Sequence, residues 1–215
     1  MNAQVSEALE EGAATIGLDL SAAQIELLGR YLAMLRKWNK VYNLTAVRDP
    51  AEMLTHHLLD SLAIIPSLLR QRGNDLPFAL LDVGSGGGLP GAVIAICCPQ
   101  AHVTCVDTVA KKAAFQQQIA LELRLPNLRG VHARVENLQA PQDVVCSRAF
   151  ASLADFTRWS APSMGDQSVW MALKGKHPGA ELADLDQGVQ VFHVEQIAVP
   201  GLEAERCIVW MRPSP

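Results

Sequence analysis

Leu80-Leu81-Asp82-Val83-Gly84-Ser85-Gly86-Gly87-Gly88-Leu89-Pro90-Gly91 runs from an apolar strand into a glycine cluster and on toward a helix. Glycines there permit positive φ and close backbone approach to a ligand, and Pro90 suits a helix's first turn. The amides and positive end of such a helix can receive a ligand's anionic group. Gly86, Gly88 and Gly91 satisfy G-x-G-x-x-G, so a nicotinamide dinucleotide has to be weighed. Against it stands Asp82, which places a carboxylate where a pyrophosphate would approach. An acidic residue followed by G-x-G instead suits a ligand bearing an ammonium and a sulfonium group, and S-adenosylmethionine carries both.

Working outward, the chain after residue 77 alternates short apolar runs with helical stretches. Residues 78–83, 102–106, 128–132, 144–146 and 168–173 read as strands. Such alternation implies parallel pairing and right-handed crossovers, in an open sheet covered on both faces. Residues 189–199 and 206–211 lie on either side of a short Pro200-Gly201 loop region and read as a closing hairpin, which gives the sheet an antiparallel edge. Upstream the period is helical. Ser21 and Gln24 have capping-box spacing ahead of Ile25, Leu28, Leu32 and Leu35, and Asp49-Pro50-Ala51-Glu52 is a second helix start. The expected architecture is α/β: an N-terminal helical cap over residues 1–75 and a Rossmann-like, mostly parallel seven-stranded domain over 76–215, divided at Arg72-Gly73-Asn74-Asp75-Leu76-Pro77.

Further candidates stand at the ends of the later strands. Asp107 can accept from a ribose diol or cap the following helix. In Arg134-Val135-Glu136 a backbone amide and an acceptor can hold an adenine, or the two charges can pair on the surface. Arg148, within Ser147-Arg148-Ala149-Phe150, can fix a cofactor or a phosphate. His56 and His57 are neighbours about 100° apart on a helix, so they do not converge on one metal ion, and a packed or capping pair is the simpler reading. For Leu32, Leu35 and Trp38 core packing is the default, with base stacking as the alternative. Arg36, Lys37, Lys40 and Arg48, with Lys174, Lys176 and His177 on the facing side of the cleft, form the best local basic patch, with scattered solvated charge as its competitor.

With 18 Lys+Arg against 22 Asp+Glu, the net charge of −4 excludes a protein that coats nucleic acid by bulk positive charge. No apolar run approaches the ~20 residues of a spanning helix, and MNAQVSEALEEG lacks a basic n-region and an apolar h-region. The expectation is a cytoplasmic protein without membrane contact, and more simply a monomer. Five cysteines without a C-x-x-C pair read as reduced core thiols rather than a metal or redox site.

Asn43-Leu44-Thr45-Ala46-Val47-Arg48, His56-His57-Leu58-Leu59-Asp60-Ser61, the glycine segment, Ser147-Arg148-Ala149-Phe150-Ala151 and Leu173-Lys174-Gly175 stand in a distinctive order and spacing. In that respect the chain resembles the bacterial small-subunit rRNA guanine-N7 methyltransferases, also called glucose-inhibited division protein B or RsmG. The resemblance runs from the Trp38 region to Arg206. It implies a class I S-adenosylmethionine-dependent fold and methylation of N7 of one guanosine in the decoding-region loop of 16S rRNA, with 16S rRNA or the 30S particle as partner. Gly84, Leu89, Val135, Glu136 and Arg148 match the family's cofactor positions. Asp107 matches its acidic position after the second strand, and Gly86 lies in the same loop. The helical resemblance sets His56 and His57 near the cofactor mouth, and Asn43, Arg48, His56, His57, Lys174 and Lys176 are the RNA-binding candidates. No catalytic residue is expected, because guanine N7 already presents an in-plane lone pair and needs no base. A non-catalytic nucleotide-binding regulator and a methyltransferase for a non-RNA acceptor are the alternatives.

Overall fold

The computed structural model describes residues 3–73 and 76–214. Its helical N-terminal region comprises α1 (Ala3–Thr15), α2 (Ala22–Tyr42), α3 (Pro50–Met53), a π-helical turn over Leu54–Leu59, α4 (Asp60–Leu62) and α5 (Ile65–Arg72). Both expected helix starts are present. Ser21 caps α2 through a full capping box with Gln24, and the Asp49 side chain accepts from the amides of Ala51 and Glu52. The second half alternates β1 (Phe78–Val83), α6 (Gly91–Cys97), β2 (Ala101–Asp107), α7 (Ala110–Glu122), β3 (Leu128–His132), β4 (Gln142–Arg148), α8 (Leu153–Ser160), β5 (Met164–Lys174), α9 (Gly179–Ala183), β6 (Val189–Ile197) and β7 (Arg206–Pro213). β4 and β5 begin earlier than their apolar runs. The added residues Gln142, Asp143 and Met164 to Gln167 have little apolar pattern, and Gln142 still pairs with Met164. Asn74 and Asp75, at the expected domain boundary, lie outside the described residues.

The seven strands are ordered β3-β2-β1-β4-β5-β7-β6. β1 to β5 pair in parallel, and only β7 runs against them, between β5 and the edge strand β6. The expected closing hairpin is therefore real. Strand order reverses at β1, flanked by β2 and β4, which puts the ligand crevice at the carboxyl ends of these strands.

Alternation along β1 sends Phe78 and Leu80 into one core and Leu81 and Val83 into another on the opposite face. The first core is shared: Leu28, Tyr31 and Leu35 of α2 pack together with Leu80, Val93 and Phe115. The N-terminal helices thus bury their apolar stripe on the layer formed by α6 and α7, directly behind the glycine segment. No helix of the described residues is long and apolar enough to cross a membrane.

Candidate active site

The segment after β1 folds as a tight turn whose amides point inward. Gly84 and Ser85 donate to the Val106 carbonyl, Gly86 to Asp107 Oδ2 at 3.0 Å, Gly88 and Leu89 to the Ser85 carbonyl, and Gly91 to Asp82 Oδ2 at 2.8 Å. Gly84, Gly86 and Gly88 all have positive φ, as only glycine does without strain. Two expectations are corrected here. Pro90 stands at the cap position just before α6 rather than in its first turn, and the start of α6 does not wait for a ligand anion, because Asp82 already occupies it. Asp82 itself does not face the ligand. It shares the inward face of β1 with Leu80, is fully buried, and serves the turn rather than an ammonium group. Burial pushes its carboxyl up to about 7, against the opposing pull of the Gly91 amide.

Side chains from two other elements brace the same turn. Gln116 of α7 donates to Ser85 Oγ and to the Gly86 carbonyl, at 2.8 and 2.9 Å. The fully buried Tyr31 of α2 donates its hydroxyl to the Gly87 carbonyl at 2.8 Å. A turn braced in this way, with the amides of Gly84, Ser85, Gly86, Gly88 and Leu89 already spent inside it, is a poor cradle for a pyrophosphate, so the dinucleotide alternative is weakened.

Two hollows meet at this turn, and Gly84 and Ala149 line both. The smaller, about 410 Å³, holds Asp107, Val135 and Glu136 together with Phe150 and Trp159. Asp107 spends Oδ2 on Gly86 and Oδ1 on the Val109 amide, so it braces the turn and the start of α7 while it faces the hollow. Glu136 pairs with Arg134 at 3.0 Å, and both stand at the rim; its own amide, then Arg134, hold its carboxyl below the usual range. The larger cleft, about 660 Å³, holds Gly86, Leu89 and Arg148 of the expected cofactor positions and His56, His57 and Lys174 of the expected RNA positions. Ala149 takes φ +51°, a left-handed conformation that costs a non-glycine residue energy, at the point where the two hollows join.

The centre of the larger cleft is a residue that the sequence reading left unassigned. Asp60, only 4% exposed, accepts from Arg148 Nη1 at 2.7 Å and from Arg206 Nε at 2.6 Å. Arg148 also donates to the His56 carbonyl at 3.0 Å, so β4, β7 and the N-terminal helices are tied at one carboxylate. A signal for it existed. Asp60 interrupts the apolar run of residues 58–65, where an acid requires a partner. Arg206 offered a weaker one, a lone cation at the start of an apolar strand.

His57 is buried, and its Nε2 lies 2.9 Å from Thr45 Oγ1. Burial first, then the Arg148 charge, lowers its pKa to about 4, so the imidazole is neutral at pH 7. Lys174 donates to Glu181 and to the Ala151 carbonyl, at 2.7 and 3.0 Å. Three RNA candidates fall elsewhere. Lys176 is exposed and outside the cleft, and Asn43 and Arg48 line a separate hollow with Arg36 and Lys40. The two halves of the expected basic patch therefore do not face each other across the cleft, because the loop over residues 43–48 turns its ends away from it. Trp38 packs 5.2 Å from Phe115 and 5.1 Å from Tyr42, as core packing requires. Cys146 is buried with its thiol pushed up, so no thiolate nucleophile is present there. Among the described residues no three His, Cys, Asp or Glu side chains gather as a metal site.

Residues 24–209 match the family described as GidB, rRNA small subunit methyltransferase G. This chain belongs to that family. Among its relatives, ribosomal RNA small subunit methyltransferase G of Acidovorax sp. (strain JS42) is 65% identical over 99% of this chain and 97% of its own length. The protein of the same name from Polaromonas naphthalenivorans (strain CJ2) is 64% identical over 95% and 94%. Solved structures share the fold at low identity. Magnesium protoporphyrin IX methyltransferase (ChlM) from Synechocystis PCC 6803 superposes with a TM-score of 0.62 at 14% identity, covering 86% of this chain and 97% of that one. TrmN from Thermus thermophilus gives a TM-score of 0.55 at 18% identity, over 75% and 53%. The fold of the family member described here is thus that of the class I methyltransferases.

Proposed function

We propose that this chain transfers a methyl group from S-adenosylmethionine to N7 of one guanosine in the decoding-region loop of 16S rRNA. The observation that carries the reading is the junction at Gly84 and Ala149: a narrow hollow with acceptors for a nucleoside opens there into a wider cleft ringed by paired cations. The residues fit the cofactor. Asp107, Val135 and Glu136 would hold the nucleoside end, and Gly84, Gly86, Leu89 and Arg148 the amino-acid end. When bound, S-adenosylmethionine supplies an electrophilic methyl carbon on a sulfonium centre.

What the chain itself contributes is position and charge. Guanine N7 attacks with its own lone pair, so no side chain has to remove a proton first, and neutral His57 and buried Cys146 are consistent with that. The work left to the cleft is holding the purine in line and tolerating its growing positive charge. Arg148 and Arg206 share Asp60, and Lys174 is matched by Glu181, so the cations beside the purine are locally compensated. In this reading residues 1–75 form the acceptor-side cap and residues 76–215 the donor-side domain, and the protein works as a monomer in the cytoplasm. The test is mass-spectrometric mapping of 16S rRNA after incubation of 30S particles lacking the modification with the protein and labelled S-adenosylmethionine. One labelled guanosine is expected. Cofactor binding without any label in RNA would overturn the proposal.

A further inference from the structure

The last two turns of α2 and the loop after it enclose a separate hollow of about 410 Å³. Arg36, Lys40 and Arg48 line it with the amide of Asn43, and no carboxylate does. All three cations are exposed, and none forms an ion pair among the described residues, whereas Arg148, Lys174 and Arg206 of the cleft are each paired. The nearby Asp49 carboxylate is committed to capping α3. Placing Arg36 and Lys40 four residues apart on one helix face costs stability through like-charge repulsion. In a chain of net charge −4, that concentration of uncompensated cations marks an anion site.

Its position says which anion. The loop over residues 43–48 is a common wall: Leu44, Thr45, Ala46 and Val47 line the active-site cleft, while Asn43 and Arg48 line the basic hollow. The wall is stiff. Buried Asn39 accepts from the Thr45 amide at 2.8 Å and donates to the Val47 carbonyl at 3.2 Å, and Arg48 donates to Asn43 Oδ1 at 3.3 Å. We infer that the basic hollow binds a phosphodiester of the rRNA strand flanking the nucleotide in the cleft, so that the strand crosses the 43–48 loop. The inference rests on the RNA-methyltransferase reading and adds the surface along which the substrate backbone runs.

An Arg36→Gln/Lys40→Gln/Arg48→Gln variant tests it, with methylation of 30S particles followed across a salt series and with filter binding of 16S rRNA. The KM for particles should rise at least tenfold, and the slope of log KM against log salt should fall by about 0.7, the change for one lost single-strand phosphate contact. The kcat at saturation and the calorimetric affinity for S-adenosylmethionine should stay within about twofold of wild type. Arg48→Gln alone should give a part of the effect, and it covers the case in which the triple variant folds poorly. An Arg129→Gln/Arg212→Gln control, on β3 and β7 and outside both the cleft and the basic hollow, should leave KM and slope unchanged. A triple variant with wild-type KM, slope and filter binding would overturn the inference and leave the methyltransferase reading intact. If the wild-type protein methylates no particle, that reading falls instead, and filter binding alone then decides whether the hollow contacts RNA.

Discussion

The smaller hollow takes its lining from residues 83 to 159, mostly at the ends of the successive strands β1 to β4, with Lys112 of α7 and Trp159 of α8, whereas the larger cleft gathers residues from 44 to 207. A site made from consecutive strand ends inherits its geometry from the sheet. The cleft depends instead on three distant segments converging on Asp60. It follows that the two regions should fail differently when perturbed: the hollow by losing cofactor affinity alone, the cleft by losing turnover and stability together.

The largest effect should come from Gly84, one of the two residues that line both. A Cβ on Gly84 would lie 2.3 Å from Phe150 Cδ2, and the backbone φ is +67°. Gly84→Val should therefore weaken cofactor binding by about 100-fold or more in calorimetry. Adding Phe150→Ala relieves the clash but not the strain, and should recover only part of the loss. A single Gly84→Val chain that binds normally would separate the two hollows entirely.

Next come the variants at the carboxylate. Asp60→Ala leaves two largely buried guanidinium groups without their partner, and should cost about 3 kcal/mol by chemical denaturation. Arg148→Ala should lower kcat/KM for methyl transfer by roughly 30-fold or more, since one cation serves both Asp60 and the His56 carbonyl. Unchanged kinetics would show that Arg148 is only a tie between segments. Smaller again is Asp107→Asn, which should weaken cofactor binding about tenfold and leave filter binding of rRNA as it is. A parallel loss of RNA affinity would break the contrast between hollow and cleft.

The remaining effects are on the pH dependence of stability, and their signs are opposite. Asp82 holds its proton up to about pH 7 in the folded state and loses it near 4 when unfolded, so it makes stability fall as pH rises across that window. His57 has the reverse shift, to about 4 from 6.5, and makes stability rise with pH over the overlapping range. Denaturation midpoints between pH 4 and 7 should accordingly tilt upward with pH in Asp82→Asn and downward in His57→Gln, relative to wild type. Equal tilts in the two variants would mean that neither group titrates as its surroundings dictate.

The same contrast explains what could be read in advance. The strand alternation, the helix N-caps at Ser21 and Asp49, the glycine turn and the acidic residues at the end of β2 and after β3 each carry a local signal, a period or a spacing, and the structure places them as the spacing implies. Asp82 was misread because its identity and position suggest a ligand contact, while the pleat turns it into the core. Asp60 and Arg206 stand 146 residues apart, and no periodicity links them. Their meeting depends on how the N-terminal helices dock on the sheet, as does the separation of Arg48 from Lys174.

The Tyr31 hydroxyl bonded to the Gly87 carbonyl means that the shape of the glycine turn is not a property of the sheet half alone. A fragment starting at Leu76 would retain every strand end and every glycine of the turn, yet it would lose the buttress beneath the turn and expose the surface that Leu35 covers. Grafting that fragment onto another recognition module would transplant the socket without its foundation.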